Sequence, residues 1–198
     1  MSVSLKPEVV GSQYKNQIFL ETGTFEGGGV WTALEMGFST IISIEIDRDY
    51  FQKSRRYIET FGSHEVGEKI FDDDPLFFQF QSGQQVYLYL GDSMEVLPRI
   101  LKNISTPITF WLDAHAGNTP THGKILVPLL EELDIISKHP VKNHSFLIDD
   151  RRLMGVNYWG EVTQDKVISK LLEINENYVI EYIDSPHAAQ DIIGAFVL

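Results

Sequence analysis

Short runs rich in β-branched and aromatic residues alternate along this chain with longer amphipathic stretches, the pattern of βα units laid around a mostly parallel sheet. Seven strands are predicted. The first covers 17–21, and a glycine-rich turn leads from it into a helix over 29–36 that stops at Gly37, the glycine position common after helix C-termini. A second strand over 41–45 passes through Asp47 into a helix over 50–61, and a third over 86–90 leads to Asp92, a helix cap, and a helix over 94–102. The fourth, 108–112, runs into Asp113, a polar loop to Gly123 and a helix over 127–138. The fifth, 145–148, ends in Asp149 and Asp150, and a loop with Gly155 and Gly160 precedes a helix over 163–175. The last two strands, 178–183 and 191–197, are joined by too short a loop for a crossover helix, so they pair antiparallel. Residues 62–85 follow neither period and are expected to be a loop or insertion.

The expected fold is α/β: a three-layer sandwich around a seven-stranded, mostly parallel sheet with a C-terminal antiparallel strand pair. A chain of 198 residues is expected to form one domain over 1–198. Ligands of such sheets bind beyond the carboxyl ends of the strands, where strand order reverses, so the residues at those ends are the candidates for chemistry. The first strand runs into Glu21, Thr22, Gly23, Thr24, Phe25, Glu26, Gly27, Gly28 and Gly29. Glycines there permit close backbone approach, and free amides at a helix start offer donors to a nucleotide-like ligand. It is not a Walker loop, because no Lys-Ser/Thr pair follows. Glu45 ends the second strand at the distance from Gly23 where an acid holds a ribose diol. Gly91, Asp92 and Ser93 are placed to meet an adenine edge, and Asp92 also suits a plain helix cap.

Asp113, Asp149 and Asp150 end neighbouring strands, where like charges repel unless a cation compensates them. All-oxygen ligands suit Mg²⁺ or Mn²⁺, with Ca²⁺ also compatible, and suit zinc poorly. The alternative is neutralisation by Arg151, Arg152 or Lys124. His115 stands beside this cluster as the candidate general base, with His122 in reserve. His64, His139, His144 and His187 are read as surface residues, and the acids 72–74 as a solvated loop.

Charge narrows the ligand class. The chain carries 16 Lys and Arg against 28 Asp and Glu, a net charge of −12, which disfavours nucleic acid as a partner. It has no cysteine, which excludes disulfides, thiolate nucleophiles and zinc-thiolate sites. No apolar run approaches the ~20 residues of a membrane span, and the first residues do not read as a signal peptide. A soluble cytoplasmic protein is expected.

These strand-end residues together resemble a class I S-adenosylmethionine-dependent methyltransferase, over Ile18 to Leu198 and including the final strand pair. The resemblance implies a Rossmann-like sheet with S-adenosylmethionine as cofactor. Its methionine part would fall on Glu21, Thr22, Gly23, Thr24, Phe25, Gly27 and Gly28, and its ribose on Glu45 and Ile46. Gly91, Asp92 and Ser93 would border the adenine, and Asp113 would close the site. The pattern Ile44-Glu45-Ile46-Asp47, with Asp113 and the Asp149-Asp150 pair, is similar to metal-dependent O-methyltransferases of the catechol and macrocin types. Segments 111–115 and 147–153 look like the macrocin-related, sugar-methylating group. That likeness implies metal on Asp113, Asp149 and Asp150, catalytic roles for Asp113 and His115, and methylation of a hydroxyl on a small polar molecule such as a sugar or diol. The catechol type has Asn where this chain has Asp150, so the site here is more anionic. Thr119, Thr121, His122, Tyr158 and Trp159 are the loop residues expected near the acceptor. Two other classes share features: an NAD-dependent oxidoreductase, which lacks a Tyr-x-x-x-Lys pair here, and a non-catalytic nucleotide-cofactor-binding module. Residues 62–85 would either cover the site or mediate a homo-oligomer.

Overall fold

The computed structural model describes residues 5–7, 10–61, 64–65, 75–115 and 125–198, with His64, Glu65 and Tyr158 described for their backbone alone. Among these residues five α-helices and nine strands follow in chain order: β1 (Ile18–Thr22), α1 (Gly28–Glu35), β2 (Thr40–Glu45), α2 (Arg48–Glu59), β3 (His64–Glu65), β4 (Leu76–Gln79) and β5 (Gln85–Leu90). Then come α3 (Ser93–Leu101), β6 (Ile108–Leu112), α4 (Leu129–Ser137), β7 (Ser145–Ile148), α5 (Gln164–Ile174), β8 (Val179–Ile183) and β9 (Ile192–Phe196). One sheet holds every strand in the order β3-β4-β5-β2-β1-β6-β7-β9-β8. From β5 to β7 the neighbours are parallel, and β9 runs antiparallel to both β7 and β8.

The alternation of side chains along the central strands makes the two faces. Leu20, Ile42, Ile44, Phe110, Leu112, Phe146 and Ile148 point into one apolar cluster with α3, α4 and α5. Phe19, Ile41, Trp111 and Leu147, one residue out of phase, point into a second cluster with α1 and α2. Both faces are therefore covered, as a parallel sheet requires.

All seven expected strands are present. The segment 62–85 needs correction: it contains β4, antiparallel to β5, and β3 beyond it at the sheet edge. Leu76 and Phe78 are buried, and the outward Phe77 ring stacks on Tyr87 at 4.9 Å. An aromatic in the outward position hides the apolar-polar alternation that would have marked this strand. His139 and His144 also depart from expectation, for both are buried at the opposite end of β6 and β7.

Gly194 in β9 shows how tightly the closing strand packs. A Cβ there would lie 2.0 Å from the hydroxyl of buried Tyr14, which donates a 2.6 Å bond to Glu181 on β8. Gly194→Ala is expected to cost about 1–3 kcal/mol through overpacking, read as a lower urea midpoint. An unchanged midpoint would show that Tyr14 moves aside freely.

Candidate active site

Strand order reverses between β2 and β6 on either side of β1, and the acids collect at that end of the sheet. Glu21 and Thr22 close β1 on opposite faces. The Glu21 carboxyl is buried, accepts a 2.6 Å bond from the Ser43 hydroxyl, and reaches the start of α1 where a Cβ on Gly29 would lie 1.9 Å from its Oε2. Only glycine leaves that space. Burial pushes Glu21 up to about 8, opposed by the Ser43 bond and reinforced by the charge of Glu45.

The turn beyond it is held by backbone contacts. The Gly23 amide donates to the Ile44 carbonyl at 3.0 Å, and at φ +85° a Cβ would meet the Asp113 carbonyl oxygen at 2.7 Å. Thr24 is buried with its hydroxyl 2.5 Å from that of Ser43, and Gly27, at φ +90°, caps α1 ahead of buried Gly28. Phe25 is 52% exposed and lies 4.4 Å from the Tyr50 ring.

Glu45, at the end of β2, accepts from the Phe25 amide at 2.7 Å on Oε2 and from the Asp47 amide at 2.8 Å on Oε1. Burial raises its pKa and these amide bonds oppose the rise. Each oxygen keeps a lone pair for a further donor. Ile46 follows, half-buried, and the Gly91 amide donates to the Glu45 carbonyl at 2.8 Å. Asp92 caps α3 by accepting from the Met94 amide at 3.0 Å, and Ser93 behind it is buried.

Asp113 and Asp149 continue the parallel ladder, their amides each donating at 3.2 Å to Thr22 and Leu112. Asp149 and Asp150 are buried. Desolvation, with the charge of Asp149, raises Asp113 well above the usual carboxylate range. Asp150 sits in left-handed backbone at φ 62°. Its Oδ2 lies 2.8 Å from His115 Nε2, and its Oδ1 lies 2.6 Å from the Arg152 guanidinium. Desolvation pushes Asp150 up, but the bond and charge of His115 and the Arg152 charge win, holding it below the usual range. His115 Nε2 is also 3.7 Å from Asp113, and its ring centroid is 5.3 Å from that of buried Trp159.

The expected set Asp113, Asp149 and Asp150 is split between two groupings. Asp113, His115 and Asp150 place donor atoms within 4.8 Å of one another, and so do Asp149, Asp150 and Asp191. Arg152 already bridges Asp150 and Asp191 in the second grouping, and Ser185 donates to Asp191 at 2.6 Å. The first therefore fits a divalent ion better. Mg²⁺ or Mn²⁺ commonly keeps several waters and needs only one or two carboxylates, here Asp113 and Asp150. Thr119, Thr121, His122, Lys124 and the acids 72–74 lie outside the described residues, as do the side chains of His64 and Tyr158.

Two residues escaped the sequence reading. Asp191 directly precedes β9 with no pattern to mark it. Glu132 carried a signal: it is an acid on the apolar stripe of α4 formed by Leu129, Leu133 and Ile136.

No family model matches the chain, and no curated protein sequence matches it. Solved structures do. A methyltransferase of Podospora anserina bound to S-adenosylhomocysteine superposes with a TM-score of 0.57 at 16% identity, over 92% of this chain and 72% of that one. An O-methyltransferase of Bacillus cereus, also with S-adenosylhomocysteine, gives 0.53 at 13% identity over 92% and 74%. The O-methyltransferase TomG of Streptomyces achromogenes, involved in tomaymycin synthesis and bound to S-adenosylmethionine, gives 0.54 at 14% identity over 91% and 73%. The fold is that of the class I methyltransferases. At such identities the likeness is one of fold, and within that methyltransferase fold the acids described above occupy the ends of β1, β2, β6 and β7, with Asp92 just beyond β5. Among the described residues no helix is long and apolar enough to cross a membrane.

Proposed function

We propose that this chain transfers the methyl group of S-adenosylmethionine to a hydroxyl of a small polar molecule such as a sugar or diol, assisted by a divalent cation. The observation that carries the reading is the row Glu21, Glu45, Asp92 and Asp113 along adjoining strand ends, beside a turn whose glycines admit a ligand to the backbone. The cofactor, when bound, supplies a methyl already activated on a sulfonium. What remains for the protein is to bind, align and deprotonate.

Glu45, with both oxygens oriented by amides, takes the ribose hydroxyls. The turn at Gly23 and Gly27, with Glu21 behind it, takes the amino-acid end, and Asp92 borders the adenine. At the acceptor side Asp113 and Asp150 would hold the ion, which would supply positive charge to the acceptor oxygen. His115 is the base. Its Nε2 lies 2.8 Å from Asp150, whose carboxylate stabilises the imidazolium formed when the ring takes the acceptor's proton. Trp159 walls the ring on one side, and a buried indole there limits water.

Calorimetric titration of the metal-stripped protein with S-adenosylhomocysteine tests the reading, with NAD as control and a repeat in Mg²⁺. Binding of S-adenosylhomocysteine alone is expected. Binding of NAD in its place would overturn the reading in favour of a hydride carrier.

A further inference from the structure

The apolar face of α4 is interrupted by Glu132, which is fully buried. A carboxyl in that position costs free energy unless its oxygens are used. Its Oε2 accepts a 3.3 Å bond from the Thr22 hydroxyl, and Ser93 also interacts with the carboxyl. Its Oε1 has no hydrogen-bond partner among the described residues.

The two hydroxyls belong to different halves of the cleft. Thr22 is the last residue of β1, directly before Gly23, and Ser93 is the first of α3, directly after Asp92. Glu132 thus joins from beneath the turn assigned to the amino-acid end of the cofactor and the helix start assigned to its adenine. We propose that Glu132 is a positioning residue for the cofactor, its carboxylate setting the spacing of these two halves through Thr22 and Ser93. The proposal rests on the methyltransferase reading.

The charge state matters to this role. Hydroxyls bond more strongly to an ionised carboxylate than to a neutral carboxyl, even one whose proton sits on the otherwise unpartnered Oε1. Burial raises Glu132 to about 7, Ser93 and Thr22 draw it down, and the charges of Asp92 on the α3 cap and Glu131 on α4 add to the rise. The spacing is therefore set more firmly as pH rises from 6 to 8.

The test is S-adenosylhomocysteine affinity and melting temperature of the full chain across that range, for the wild type, Glu132→Gln and Glu132→Leu. Wild-type affinity is expected to tighten with pH. Glu132→Gln, which keeps one acceptor and does not titrate, should bind within about threefold of the wild type at pH 7 with a flatter profile. Glu132→Leu should bind about tenfold or more weakly, because two buried hydroxyls lose their acceptor, while melting within a few degrees of the wild type. Wild-type affinity in Glu132→Leu would overturn the proposal alone, and no wild-type binding would overturn the methyltransferase reading and the proposal with it. If Glu132→Leu does not fold, the pH profile of Glu132→Gln decides: a flattened one supports the role, and one matching the wild type overturns it.

Discussion

Asp150→Asn is expected to lower turnover by about 10²–10⁴-fold while S-adenosylhomocysteine affinity stays within about threefold. The substitution isolates charge. Asp150 occupies left-handed backbone at φ 62°, a conformation that asparagine adopts readily, so the turn into Arg151 survives. Its oxygens hold His115 at 2.8 Å and Arg152 at 2.6 Å. Arg152 keeps its partner Asp191 in the variant, and the β9 side of the cluster should remain intact. His115 loses the carboxylate that orients it and stabilises its charged form, and a metal ion would meet a neutral amide oxygen in place of one of its two candidate carboxylates. Because Glu21, Glu45 and Asp92 lie at or just beyond the ends of β1, β2 and β5, cofactor affinity is the internal control. Steady-state rates with calorimetry on the same preparation check the result. Turnover within threefold of the wild type would remove Asp150, and the His115 pairing with it, from the mechanism.

The parts of the structure legible beforehand are those in which one local rule acts alone. The β1 turn could be read because glycines at positive φ are forced by close approach, as Gly23 shows against Asp113. Asp92 could be read because capping is local chemistry, and it accepts the amide two residues on. The strand-end acids could be read because topology brings strand ends together whatever the loops do.

What could not be read depends on contacts distant in sequence. β4 is a strand because Phe77 finds Tyr87 and because Leu76, Phe78 and Phe80 find the core under α1 and α2. The division of the acids into two groupings depends on Arg152 reaching Asp191, 39 residues away. Spacing alone treated Asp149 and Asp150 as equivalent, yet Asp150 alone joins both groupings. The buried histidines were misassigned for a related reason. A polar residue near a loop reads as exposed, and only tertiary contacts show that its ring nitrogens are used.

Those histidines carry the second large effect, on stability. The Ile108 amide donates to His144 Nδ1 at 3.1 Å, which makes Nε2 the protonated nitrogen of that ring. His144 Nε2 then donates to His139 Nδ1 at 3.1 Å, and His139 Nε2 donates to the carbonyls of Leu101 and Ile104 at 3.1 and 2.9 Å. Each ring nitrogen has one role, and those of His144 require a neutral ring. A proton added to His144 Nδ1 would face the Ile108 amide. Burial, followed by the charges of His139 and Lys142, lowers His144 to about 3. The other titratable neighbour, Tyr178, packs on Phe146 and stays neutral, since burial raises it.

A histidine whose folded pKa lies below its unfolded value contributes stability that is complete above pH 6.5 and is lost as pH falls towards 3. The loss should approach about 1.4 kcal/mol per pH unit within that window. Glu21 and Glu132 act in the opposite direction, because their raised folded pKa values make the fold more stable as pH falls from about 8 and 7 towards the usual carboxylate range. The whole protein therefore reports a sum, and a variant is needed to isolate the histidine. His144→Asn keeps an acceptor for the Ile108 amide and does not titrate. It is expected to be less stable than the wild type at pH 8, because the bond to His139 is lost, yet to change less between pH 6.5 and 4.5 in urea unfolding. Parallel pH profiles for the two proteins would mean that His144 is protonated in the fold without cost, and that the relay of bonds from Ile108 to Leu101 does not require a neutral ring.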